Sequence, residues 1–182
     1  WVALGDLYGA RGSVDEARRA YEQAIATDPT DRVAHLNLAD MHRATGRDDL
    51  AEQVLLAALD AQPDAAEVQH ALGLLRVREG TPESALPLLR SAAMTQPENA
   101  RFQYVLGVAL ASNGEVDQGI EVLVTALSVS PFDREVLTAL ATYSRDSGDT
   151  DGAILYAERL VEVTPGDPGT IELLRQLRAG SR

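Results

Sequence analysis

Apolar and small side chains in this sequence recur at spacings of three and four, with polar residues between them. Ala17, Tyr21 and Ala24 form one such set, followed by Ala51, Leu55 and Ala58, by Ala85, Leu89 and Ala92, and by Gly119, Leu123 and Ala126. That spacing places each set on one face of a helix. In a fifth set Ala153 is followed by Ala157 and Leu160, the large residue having exchanged places with a small one, which roughly conserves volume. A second family of positions carries leucine at Leu4, Leu38, Leu72, Leu106 and Leu140, each followed by a small residue at Gly5, Ala39, Gly73, Gly107 and Ala141. A small residue there lets two helices approach closely.

The sets fall on one fixed period. Prolines recur at Pro29, Pro63, Pro97, Pro131 and Pro165, and glycines at Gly12, Gly46, Gly80, Gly114 and Gly148, each 34 residues after the last without insertion or deletion. A period of this length is the mark of a repeat array, so the chain divides into five two-helix repeats at 1–31, 32–65, 66–99, 100–133 and 134–167, with a capping helix at 168–182. Each glycine ends a first helix in the left-handed conformation, and a capping residue follows, as in the Ser-x-x-Glu box from Ser13 to Glu16 or the Thr81-Pro82 start. Each proline closes a second helix, and Asp31, Asn99, Asp133 or Asp167 then stands ready to cap the next first helix, whereas Asp64 comes one residue early. Pro87 lies inside a second helix and predicts a bend. In the last segment Ile171, Leu174 and Leu177 supply an apolar side, with Glu172, Arg175, Gln176 and Arg178 opposite.

Trp1, Leu4, Gly5, Tyr8, Ala17, Tyr21, Ala24 and Pro29 resemble the signature of the tetratricopeptide repeat, and the resemblance extends over residues 1–167. Later repeats keep the small residues and the proline but replace the aromatic ones, with His35 and His42, Gln69 and Arg76, Gln103 and Leu110, then Leu137 and Ser144. The resemblance implies an all-α, right-handed α-solenoid whose concave face, lined by the first helices, receives an extended segment or a helix of a partner protein. Projected onto this register, that face carries Val2, Asp6, Leu36, Asn37, Asp40, Arg43, Glu67, His70, Leu74, Arg78, Arg101, Tyr104, Val105, Val108, Thr138, Thr142 and Arg145. These positions are either simply solvated or a binding surface. Leu36, Leu74, Tyr104, Val105 and Val108 favour the second reading, being an apolar strip that water would not favour. The charges change sign along the face, from Asp6 and Asp40 to Arg78, Arg101 and Arg145, so a partner would have a direction. The carboxylate clamp with which some members hold chaperone tails is not expected, since only Asn37 matches it and Val2, Asp6, Glu67 and Ala71 occupy the other four places.

Composition narrows the picture. The net charge of −12 opposes binding to nucleic acid, where affinity comes from clustered cations releasing counterions. All 16 basic residues are arginine, a bias that a GC-rich bacterial genome produces. No charge-free stretch is long enough for a membrane span and no basic leader precedes Trp1, so the reading is a soluble chain, cytoplasmic or periplasmic. The absence of cysteine excludes disulfides, thiolate zinc sites and cysteine catalysis within the chain.

No constellation calls for a metal, a cofactor or a catalytic role. His35 and His42 share a face but stand in the register places of Trp1 and Tyr8, where packed interior histidines are expected. Ser147-x-Asp149-x-Asp151-Gly152 with Glu158 imitates a calcium loop, but its first ligand is wrong and the repeat phase starts a helix near Asp149. Asp48 and Asp49 fall in a first helical turn, where they favour the helix dipole. The sequence therefore reads as a binding scaffold rather than an enzyme. The alternative is a structural or oligomerisation module of a larger enzyme, of the multihaem cytochrome or glycosyltransferase kind. The helix at Trp1 lacks its first turn, which predicts further repeats or another domain upstream and weak self-association through exposed solenoid ends.

Overall fold

The computed structural model describes residues 1–180; Ser181 and Arg182, the last two of the expected capping segment, lie outside the described residues. Among the described residues there is no strand and there are eleven helices: α1 (Val2–Ala10), α2 (Val14–Thr27), α3 (Arg32–Ala44), α4 (Asp48–Ala61), α5 (Ala66–Arg78), α6 (Pro82–Thr95), α7 (Ala100–Ser112), α8 (Val116–Val129), α9 (Arg134–Ser147), α10 (Thr150–Val163) and α11 (Pro168–Gly180). They fall into two compact units, Trp1–Thr95 and Gln96–Arg182.

In the first unit α1/α2, α3/α4 and α5/α6 are hairpins, and α2 and α4 also pack on the first helix that follows them. The small residues set the closeness of each hairpin. A methyl group added at Gly5 would collide with the Tyr21 ring, and one at Gly73 would stand 2.6 Å from Leu89. Ala17, Ala51 and Ala85 are at most 1% exposed, and Leu55, Leu72 and Leu89 at most 2%; Ala51, Leu55 and Leu72 share one apolar cluster and Ala17 packs with Tyr21 and Leu38 in another. Each such leucine stabilises the fold by about 1.5–3 kcal/mol.

The second unit holds α7/α8, α9/α10 and α11, which packs on α10. Its core is Leu123, Ala126, Leu127, Val136, Leu137, Leu140 and Leu160, extended toward α11 by Ala141, Ala153, Ala157 and Leu177. The buried side of α11 is Thr170 and Leu177 with Leu173 and Leu174 half-buried, whereas Ile171 is 48% exposed. The expected apolar stripe is thus displaced by one residue at its start, because 170, 173–174 and 177 share a face and Ile171 is turned about 100° from Thr170.

The turns show how the 34-residue period is built. Gly12, Gly46, Gly80, Gly114 and Gly148 have φ between 71° and 91°, a conformation that costs other residues strain. In the first four the next amide donates back across the turn, Ser13 to the Tyr8 carbonyl, Arg47 to His42, Thr81 to Arg76 and Glu115 to Leu110, at 2.9–3.0 Å. This geometry corrects the expected capping box. The Ser13 side chain makes no cap hydrogen bond to α2, and its N–H, which Glu16 would have to reach, is already committed to Tyr8. The first helices are capped as the sequence implies: Asp31 accepts from Ala34 N, Asn99 from Phe102 N, Asp133 from Glu135 N and Val136 N, and Asp167 from Gly169 N and Thr170 N. Ala65, where Asp64 comes early, has no side-chain cap. Helix α6 continues through Pro87, which offers no N–H to the Glu83 carbonyl.

Candidate functional site

The repeat period brings equivalent residues of successive first helices face to face. Tyr104 and Val108 lie one turn apart on α7, and residues 34 positions on, Thr138 and Thr142, lie one turn apart on α9. Between them is an open pocket of about 530 Å³, lined also by Arg134, Glu135, Ala139 and Tyr143. Its floor is secured from below, because Tyr104, Val108, Ala139 and Tyr143 all pack in part on the leucine core of the second unit.

One end of the pocket is charged. Arg101, one turn before Tyr104, donates to the Glu135 carboxylate at 2.9 Å, again a pair 34 residues apart, and its guanidinium lies 5.3 Å from the centre of the Tyr104 ring. Arg134 is 3.5 Å from Asp167. Burial raises the Tyr104 phenol above its ordinary value, and the neighbouring Glu135 adds to the effect, so the hydroxyl stays a donor at neutral pH. The Thr138 and Thr142 hydroxyls donate to carbonyls of their own helix, Arg134 at 2.7 Å and Thr138 at 2.8 Å, leaving oxygen lone pairs as acceptors. The pocket therefore offers two aromatic walls, an aliphatic floor and hydroxyls able to donate or accept. That combination suits a peptide backbone with an apolar side chain.

Of the positions that the sequence places on the groove, Arg101, Tyr104, Val108, Thr138 and Thr142 come together here. Arg145 does not: it pairs with Asp146 at 2.7 Å and borders a separate hollow of about 230 Å³ with Leu173, Gln176 and Leu177. Val105 is buried, 7% exposed. Sequence reasoning missed Arg134, Glu135, Ala139 and Tyr143. Ala139 and Tyr143 follow Thr138 and Thr142 by one position, and the equivalent α7 residues Val105 and Ala109 are buried, whereas Arg134 and Glu135 lie one turn before Thr138. Tyr143 could have been found as an aromatic at a register place otherwise filled by Leu7, Met41, Leu75 and Ala109.

In the first unit the candidate residues are largely engaged within the fold. Asp6 accepts from Tyr21 Oη at 2.7 Å and from Asn37 Nδ2 at 2.9 Å, tying α1, α2 and α3 together. Burial and the bond to Asp6 push the Tyr21 phenol up to about 12. Asp40 pairs with Arg43 at 3.0 Å, Arg78 with Asp48 of α4 at 2.5 Å, and Glu67 lies 3.9 Å from Arg32. Leu36 is half-buried against the α3–α5 core and His70 is buried, 8% exposed, while Leu74 stays 40% exposed.

The remaining motifs have structural places. His35 is 3% and His42 6% exposed, and His35 Nδ1 is 2.9 Å from the Asp31 carbonyl. Asp149 caps α10 by accepting from Gly152 N at 3.0 Å, and the helix begins at Thr150. Among the described residues no three His, Asp or Glu side chains gather as a metal site requires, and no helix is long and apolar enough to cross a membrane.

Comparison with known proteins places this architecture. Two tetratricopeptide-repeat family models match, one over residues 2–66 and the other over residues 76–143. No curated protein sequence matches significantly. Solved structures do: PilF of Pseudomonas aeruginosa at TM-score 0.81 and 21% identity, covering 97% of this chain and 80% of that one; a MamA structure (MSR-1) at 0.71 and 28%, covering 88% and 92%; and YrrB, described as a TPR protein with an unusual peptide-binding site, at 0.77 and 16%, covering 94% and 88%. The repeat phase, the all-helical α-solenoid fold and the two matching models agree: the chain belongs to the tetratricopeptide-repeat family.

Proposed function

We propose that this chain is a protein-interaction scaffold and that the pocket between α7 and α9 receives a segment of its partner. The observation that carries the reading is the wall formed by Tyr104 and Tyr143 beside Val108 and Ala139, open to solvent yet seated on a fully buried leucine core. A rigid, half-buried tyrosine loses little entropy on binding and presents both an apolar ring and a hydroxyl, the profile of an interaction hot spot. Arg101 orients the partner from one end, its charge partly balanced by Glu135. YrrB, alike in fold, has a peptide-binding site of its own, which supports this use of the architecture.

The test is affinity capture with the wild-type chain, followed by measured affinities for the captured partner. Tyr104→Ala should weaken binding by about 2 kcal/mol or more. Arg101→Glu should weaken it as well, more so at low salt, while leaving stability unchanged. Glu121→Lys, an exposed change on α8, should leave this partner unaffected. A partner that ignores Tyr104 and Arg101 but is lost on changing Glu121 overturns the groove reading.

A further inference from the structure

The acid excess of the second unit lies on its second helices. Helix α8 carries Asp117 and Glu121 and no cation, and α10 carries Asp151, Glu158 and Glu162 with Arg159 alone. Glu158 is paired with Arg178 at 2.6 Å, and the Arg159 guanidinium donates to the Pro131 carbonyl at 2.9 Å. Among the described residues the carboxylates of Asp117, Glu121, Asp151 and Glu162 meet no cation. On the first helices, by contrast, Glu135, Asp146 and Glu172 each have an arginine within 3 Å.

Apolar side chains stand open among these unpaired charges. Phe132 is 80% exposed, Leu155 53%, Val124 43% and Val129 41%. On α8 Val124 lies one turn after Glu121, and on α10 Leu155 lies one turn after Asp151. The Arg159–Pro131 bond holds the α8–α9 turn, with Phe132 next in sequence, against the face of α10 on which Leu155 lies one turn before Arg159. Ile120 of α8 and Tyr156 of α10 pack on the same core cluster.

We propose that this outer face is a second docking surface, and that its occupant is a basic amphipathic helix of a protein partner. Complementarity selects that chemistry. Leucine-like side chains on one stripe would cover Phe132, Leu155 and Val124, and flanking Lys or Arg would meet Glu121, Asp151 and Glu162, which have no partner of their own. An acidic segment or a second copy of this chain, itself at −12, would bring like charge to the same face. The inference does not rest on the α7–α9 groove.

The probe is a labelled, short Leu/Lys amphipathic helix, titrated with the full chain and followed by fluorescence anisotropy. It should bind about tenfold more tightly than a scrambled peptide of the same composition, which keeps the charge but not the stripe. The double variant Phe132→Ser/Leu155→Asn should lose about tenfold, and Glu121→Lys/Glu162→Lys should lose as much and flatten the salt dependence. Tyr104→Ala should bind as wild type. Equal binding of the scrambled peptide, or an apolar double variant that binds normally, would reduce the effect to attraction by net charge and overturn the proposal. So would loss of binding in Tyr104→Ala, which would put the peptide in the groove, or a wild-type dimer that the apolar double variant turns into a monomer.

Discussion

The α7/α8 hairpin is where a single methyl group should be felt most. Gly107 and Gly119 face each other across it: a Cβ added to Gly119 would stand 2.7 Å from the Gly107 carbonyl oxygen and 3.0 Å from both the backbone nitrogen and the Cβ of Ala111. Optimal contact needs about 3.5 Å, and backbone atoms cannot rotate away as a side chain can. The α5/α6 hairpin accepts Ala85 at this register place because its helices stand farther apart there. A Cβ on Gly73 would be 3.5 Å from the Ala85 carbonyl, against 3.0 Å for a Cβ on Gly107 from the Gly119 carbonyl. Gly119→Ala should therefore cost about 3 kcal/mol in overpacking. It gains about 1 kcal/mol of helix propensity, leaving a net loss of about 2 kcal/mol. For a chain of this length that lowers Tm by roughly 4–8 °C. The assay is thermal and urea unfolding followed by circular dichroism, with Gly9→Ala as control. Gly9 is also helical, but an added Cβ there meets nothing within 4 Å, so its variant should be neutral or gain up to about 1 kcal/mol. If Gly119→Ala raises Tm as the control does, the close approach of α7 and α8 is wrong.

Three further outcomes follow from the same packing. Ala85→Leu should cost about 1–3 kcal/mol by overpacking, since Ala85 is 0% exposed between α5 and α6, and an unchanged urea midpoint would refute the register. Asp133→Ala should cost about 1 kcal/mol, because its carboxylate caps α9 through two amides, whereas Ser13→Ala should cost almost nothing; equal losses would restore the capping box rejected above. Burial, then Arg47, depresses the His42 imidazole below its ordinary value, so the unfolded chain takes up the proton first as pH falls. Stability should thus be full above about pH 6.5 and decline below it toward the lower folded value, a decline that His42→Leu should abolish and that parallel Tm–pH curves would disprove.

The fold was legible because its determinants are local and repeat. A glycine at one phase needs a left-handed turn and a proline at another ends a helix, five times each, and in four of the five an Asp or Asn two residues later caps the next, so the copies reinforce one another. What was misread is where a local rule met a competing bond. Ser13-x-x-Glu16 satisfies the pattern of a capping box, but the pattern does not say that the Ser13 amide is already used by the glycine turn. Ile171 was misplaced for a related reason: three apolar residues at 171, 174 and 177 fit one helical face, and only packing on α10 shows that the face is centred closer to Thr170 and Leu173.

The site was legible only by row. Projecting one register onto every first helix finds Arg101, Tyr104, Val108, Thr138 and Thr142, but a pocket between two helices needs one row from the earlier helix and two from the later one. That asymmetry is absent from a period of identical units, and so Ala139 and Tyr143 were missed, together with Arg134 and Glu135 in the turn before Thr138. The same projection could not tell which charges remain available. In sequence, Asp40, Arg78 and Arg101 are ions along a groove; in the structure each has a partner within 3.0 Å, so a ligand must compete for them rather than simply meet them. Exposed pairs of this kind contribute about 0–1 kcal/mol, so the competition is inexpensive. The apolar walls must therefore supply most of the affinity of the groove, and Arg101 mostly its direction, which is why Tyr104→Ala should be the more damaging of the two changes.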